Sequence, residues 1–228
     1  MTCPQRASAA NGWVPVGKAE LTIAEATAMF LYVAERMQDS QDLLTQADKA
    51  IGDGDHGIGM ARGFAAVQTK LSAAPPTTVA ELLKTAGMAL LTSIGGASGV
   101  IFGTLFRGGA RNLTDATVFN AETLSLMLAD GLSAVQERGK ANPGDKTMVD
   151  ALTPAAAKAA EMAGASLGEA LEAAAEAARL GMEETKGMVA ATGKARALGP
   201  RALGFADPGA LSMYLLLYFM AQFVTSGE

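Results

Sequence analysis

Three carboxylates fall within eight residues, at Asp48, Asp53 and Asp55, and the next residue, His56, is the only histidine in the chain. Carboxylate oxygens are hard ligands that suit Mg²⁺ or Ca²⁺ better than Zn²⁺, which prefers nitrogen and sulfur. Three clustered carboxylates repel one another unless a cation neutralises them. Asp53 and Asp55 are two residues apart and cannot share one helix face, so they belong to a loop or the start of a helix. The intervening glycines let the chain turn tightly and approach a phosphate. The pattern reads as a divalent-metal site for a phosphate-bearing ligand. The alternative is a solvated turn closed by an Asp N-cap. A calcium EF-hand is excluded, because its alternating ligands and the glutamate at its twelfth position are missing. His56 fits either a phosphate contact or a structural role satisfied by hydrogen bonds. Without a second histidine, no zinc site of several histidines can form.

Other segments could serve such a site. Gly95-Gly96-Ala97-Ser98-Gly99 precedes a helix. Small residues there leave backbone N–H groups open to an anion, or let two helices pack closely. It is neither a Walker motif, since no Gly-Lys-Ser/Thr follows, nor a Rossmann turn, since no strand precedes it. Gly139 to Met148 is a polar turn around Pro143-Gly144, in which Asp145 or Thr147 can cap the next helix. Lys194, Arg196 and Arg201 form a basic cluster. Such charges are solvated by default, yet a phosphate site also needs cations against developing charge. Asp207-Pro208-Gly209 supplies a cap and a turn before the last helix.

The elements that must position these residues are helical. Thr22 with Glu25, Thr78 with Glu81, and Ser166 with Glu169 have capping-box spacing, and Asn120 can cap a further start. The pattern predicts helices over 22–39, 40–50, 58–72, 78–93, 98–112, 121–138, 147–163, 167–191 and 209–225, the first two as one broken helix. No segment alternates with period two, so no strand is expected. The glycine-rich breaks fall at 52–57, 95–99, 139–144 and 193–209, and in an antiparallel bundle they converge at one end. Residues 1–19 lack periodicity and read as a flexible extension, with one domain over 20–228.

The 228 residues are half hydrophobic and only 5% aromatic, a balance carried by alanine, leucine and methionine that favours helix. The net charge of −5 has no basic block, which argues against nucleic acid. A lone cysteine, Cys3, excludes an internal disulfide framework and fits a reducing cytoplasm. No secretory signal pattern is present. The apolar stretch from Ala210 to Val224 is short of the roughly 20 residues a membrane span needs, and reads as a buried core helix.

Taken together, six segments resemble the ADP-binding L subunit of dihydroxyacetone kinase. In order they are Asp48 through Asp53-Gly54-Asp55-His56-Gly57, Leu91 to Gly99, Phe102-Gly103-Thr104, Arg138 to Ala141, Pro143 to Met148, and Asp207 to Ala210. The resemblance covers roughly residues 20–226. It implies an all-α barrel of eight antiparallel helices with a nucleotide at one end. It implies that Asp48, Asp53 and Asp55 hold two Mg²⁺ ions bridging the phosphates of ADP or ATP. His56, Gly57, Ile58 and Gly59 would line the phosphate end, and Ala97 and Ser98 would contact the phosphates. Gly139 and Met148 would border adenine and ribose, and Asp207, Pro208 and Gly209 would close the site. Where the family pattern carries Gly-Arg-Ala, this chain has Gly193-Lys194-Ala195, so the catalytic cation is Lys194 or, two residues on, Arg196.

The resemblance further implies half an enzyme. A separate K-type subunit would hold dihydroxyacetone or a tetrulose such as erythrulose, with ATP or a phosphotransferase-system protein as the phosphoryl donor. A nucleotide-sensing regulator that binds a transcription factor, and a fatty-acid-kinase-like nucleotide domain, are the rival readings.

Overall fold

The computed structural model describes residues 18–226. A short strand β1 (Glu20–Thr22) leads into α1 (Ile23–Asp39) and α2 (Gln41–Ile51), followed by α3 (His56–Ala73), α4 (Val79–Ser93) and α5 (Gly96–Gly109). Strand β2 (Val118–Asn120) leads into α6 (Ala121–Gly139), α7 (Met148–Glu161) and α8 (Leu167–Glu184). Two 3₁₀ segments, Thr185–Gly187 and Lys194–Ala202, precede α9 (Pro208–Ser226).

The sequence-encoded caps form as the spacing predicts. Thr22, Ser166 and Asn120 each close a reciprocal box with the third helical residue. At α7 the capping residue is Thr147, paired with Asp150. Thr78 makes half a box, because the Glu81 carboxylate turns to the N–H and hydroxyl of Thr77 instead. α2 follows α1 after the single residue Ser40, so the two act as one broken helix. With that pair counted once, eight helices form a closed ring among the described residues. From α3 each packs on the next, α1 packs on α3, and α9 returns to α1. The interior holds Phe30, Phe102, Phe106, Met29, Met60 and Met213 with many alanines and leucines. Small residues set the spacing: a Cβ at Gly103 of α5 would stand 2.9 Å from the Gly87 carbonyl of α4.

Three expectations need correction. Two strands exist where none was expected. Three residues each are too few to show a period, and β1 pairs antiparallel with β2 through the buried Leu21 and Phe119. The eighth helix ends at Glu184 rather than near residue 191, for a reason that lies in the site. The last helix has 19 residues and is long and apolar enough, by length and composition, to cross a membrane. Here it packs on α1, α7 and α8, with half of its apolar stretch buried. Of the expected extension, residues 1–17 lie outside the described residues. The Lys18 and Ala19 carbonyls accept N–H groups from Gly168 and Leu167 at 3.3 and 3.1 Å.

Candidate functional site

Side-chain contacts bring three of the glycine-rich breaks together, His56 touching Ser98 and Lys194 touching Asp53 and Asp55. Asp48 is buried in the last turn of α2, whereas Asp53 and Asp55 are exposed in the turn to α3. One oxygen from each of the three lies within 4.8 Å of the others. Asp55 stands at the N-cap position of α3 but its side chain makes no capping bond. Asp48 serves that helix instead, accepting the His56 N–H at 3.2 Å. The Asp-cap alternative therefore does not consume the outward carboxylates.

His56 is buried, and both ring nitrogens are engaged. Nδ1 lies 3.1 Å from Ser98 Oγ in the first turn of α5, and Nε2 lies 2.8 Å from Ser212 Oγ in α9. Burial pushes its pKa down, against the pull of Asp48 and Asp55. A neutral imidazole joining three helices is thus a fixed point of the site. Ile58 is half exposed, while Gly57 and Gly59 are packing positions. A Cβ at Gly57 would fall 2.2 Å from the Gln41 carbonyl, and one at Gly59 would fall 3.2 Å from Ile94.

Gly95 takes φ +81 and provides no side-chain cap, so the first turn of α5, with exposed Ala97 and half-buried Ser98, presents uncapped backbone N–H groups. Arg62 fixes this turn through the carbonyls of Ser93 and Ile94, at 2.6 and 2.5 Å. Gly139 ends α6, where a Cβ would stand 3.1 Å from Ile101. Met148 opens α7, and a Cβ at Gly209 would stand 3.4 Å from it, so the Asp207-Pro208-Gly209 turn sits against that helix start.

Of the two candidate cations, the structure brings only one to the carboxylates. Lys194 Nζ donates to Asp53 Oδ2 and, at 3.2 Å, to Asp55 Oδ2. Its hydrogen bond holds Asp53 below the usual carboxylate range, and Asp53 in turn raises the lysine. All three side chains are more than half exposed, so the pairing is screened and easily exchanged. The Arg196 side chain makes no hydrogen bond or ion pair among the described residues. Sequence reasoning missed Ser212, Arg62 and the buried Thr185, whose partners include residues distant in the chain, and the buried Asp150, whose partners Gly144 and Thr147 are close in it.

Asp207 caps α9, its Oδ2 accepting the Ala210 N–H at 2.8 Å. Burial pushes its pKa up from 3.8 to about 7, opposed by that N–H and by Lys146. The folded chain therefore holds this proton more tightly than the unfolded chain does. The resulting stability is complete below about 3.8 and is lost as pH rises through about 7. Relative to Asp207→Asn, which still caps, the wild-type chain should lose up to about 4 kcal/mol between pH of about 4 and about 8. Urea unfolding at constant ionic strength reads this difference; a difference independent of pH would contradict it.

Known proteins resemble this chain in sequence and in fold. Residues 50–222 match the DAK2 domain. The chain is 41% identical over 182 residues to the ADP-binding subunit DhaL of the PEP-dependent dihydroxyacetone kinase of Escherichia coli (strain K12), covering 79% of this chain and 87% of that one. It is 33% identical over 189 residues to L-erythrulose 1-kinase of Mycolicibacterium smegmatis, covering 82% of this chain but 33% of that protein. It superposes with a TM-score of 0.70 and 25% identity on the dihydroxyacetone kinase of C. freundii crystallised with AMP-PNP and Mg²⁺, covering 97% of this chain and 38% of that one. The chain belongs to the DAK2-domain family, among the ADP-binding L subunits of dihydroxyacetone kinases.

Proposed function

We propose that this chain is the nucleotide-carrying subunit of a dihydroxyacetone-type kinase, a phosphotransferase that passes a phosphoryl group to a small ketose held by a separate K-type subunit. The observation that carries this reading is the convergence of Asp48, Asp53 and Asp55 within 4.8 Å beside the uncapped start of α5. The residues fit divalent metal: three hard-oxygen donors converge, and a cationic side chain already bridges two of them. In our reading they hold two Mg²⁺ ions with ADP or ATP. Bound there, Mg²⁺ supplies charge neutralisation for the nucleotide phosphates.

The chain's own residues do the positioning. The first-turn N–H groups of α5, at Ala97 and Ser98, point a helix N-terminus at the phosphates. His56 holds Ser98 and α9 in place. Gly139, Met148 and the Asp207-Pro208-Gly209 turn form the nucleoside side. Lys194 offers a mobile positive charge where the transferred group leaves the nucleotide. Both nitrogens of the single histidine are taken up within the chain, and the relatives named as ADP-binding subunits of dihydroxyacetone kinases support a second, ketose-holding subunit. The acceptor is dihydroxyacetone or a tetrulose such as erythrulose, and the donor is ATP or a phosphotransferase-system protein.

Reconstitution tests this. The purified chain alone should not phosphorylate either ketose, and turnover should appear when a K-type subunit is added, with ATP and a phosphotransferase donor assayed in parallel. Robust turnover by the chain alone, or none with the partner and either donor, would overturn the reading.

A further inference from the structure

The cationic segment that carries Lys194 is joined to the molecule through a buried ammonium. Lys146 is 1% exposed, one of the largest fully buried side chains. Its Nζ donates to the carbonyl oxygens of Thr185 at 2.5 Å and Phe205 at 2.6 Å. These two carbonyls flank the segment 186–204, so a single side chain closes both ends of that loop. The neck is reinforced by the Gly204 N–H, which donates to the Lys186 carbonyl at 2.8 Å. Next to Lys146, the Asp145 carbonyl accepts the Ala191 N–H at 3.1 Å. One short stretch of the turn before α7 thus grips the loop at 185, 191 and 205.

Stability alone does not explain this choice. Burial depresses the Lys146 pKa, with Asp207 and Asp150 opposing it. An apolar side chain of similar length would avoid desolvating a charge, and a buried charge is weak evidence for stability. Lys146 also adopts φ +59, a left-handed conformation disfavoured for a residue with a Cβ. What the ammonium supplies, and an apolar chain cannot, is a set of directed bonds to two distant carbonyls. The segment Lys194–Ala202 itself is largely exposed and packs on α2. Where Lys194 stands over Asp53 and Asp55 therefore depends on how its neck is fixed.

We infer that Lys146 is a positioning residue, the pin that sets the Lys194 loop over the carboxylates and joins it to the turn bordering the nucleotide. This rests on the kinase reading above for its consequence in turnover, but not for the pin itself. In the full chain, Lys146→Met should speed hydrogen exchange across 186–205 by about tenfold or more while α1 to α6 keep their protection. With the K-type partner, kcat should fall by about tenfold or more while KM for the Mg-nucleotide changes by less than about threefold. Lys146→Arg, which keeps a charged donor, should recover most of both losses, and Lys146→Gln should fall between. If the Met variant does not fold, the order of Gln against Arg carries the same test. A folded Met or Gln variant with exchange across 186–205 within about twofold of wild type would overturn the pin. Fast exchange with kcat within about twofold of wild type would overturn its role in positioning Lys194. Exchange is measured on the chain without partner or substrate, so an inactive wild-type enzyme would sink the kinase reading while the pin is still decided.

Discussion

Lys194→Ala should lower turnover by about 10²- to 10³-fold while changing nucleotide affinity by less than about threefold. A transferring phosphoryl group spreads negative charge over its oxygens, and a cation placed there lowers the barrier. In other phosphoryl-transfer enzymes an arginine in that role is worth roughly 10³ to 10⁵ in rate. Lysine is a compact point charge without the bidentate fork, so an effect at or below the lower end of that scale is expected here. Lys194 is the cation that reaches Asp53 and Asp55, whereas the Arg196 side chain has no partner among the described residues. Arg196→Ala should therefore change kcat by less than about threefold, and Lys194→Arg should retain more activity than Lys194→Ala. Steady-state kinetics with the partner subunit present separates the three. Equal losses at Lys194 and Arg196 would move the catalytic charge away from Lys194.

Asp53→Ala should weaken Mg-dependent ADP binding by about 100-fold or more. Even the outer hydrogen-bond partners of metal ligands typically cost 10- to 100-fold in metal affinity, and a direct ligand costs at least that. Removing Asp53 also frees Lys194 from its shorter ion pair, which adds positive charge near the phosphates and offsets only part of the loss. Apo-protein stability should hardly fall, because Asp53 is exposed and its ion pair with Lys194 is screened by solvent.

The acidic motif was legible in the sequence because its parts are local. Asp53, Asp55 and His56 need only one tight turn and one helix start to come together, and Asp48 lies one helix end away. Helix starts were legible for the same reason: Thr22, Asn120, Thr147 and Ser166 cap through residues two or three positions on. The strands were not, because pairing of Leu21 with Phe119 joins segments almost a hundred residues apart and leaves no local period. The end of α8 was misplaced for a long-range reason too. Lys146 Nζ and the Met188 N–H take the Thr185 carbonyl, so the chain tightens into a 3₁₀ turn instead of continuing. Local propensity carries no trace of that bond. Likewise Lys194 and Arg196 are near-equivalents in sequence, and only the fold of their loop separates them. The glycines of the acidic motif were read for their freedom to turn, and Gly57 has a further, long-range requirement invisible in sequence: the backbone of α2 packs against it.

The central claim is that the three aspartates hold Mg²⁺ for a nucleotide, and titration calorimetry of ADP into the wild-type chain with Mg²⁺ and with EDTA tests it most directly. ADP should bind tightly with Mg²⁺, lose nearly all affinity in EDTA, and lose it similarly in Asp53→Ala with Mg²⁺ present. ADP binding that is unchanged by EDTA and by Asp53→Ala would contradict the assignment.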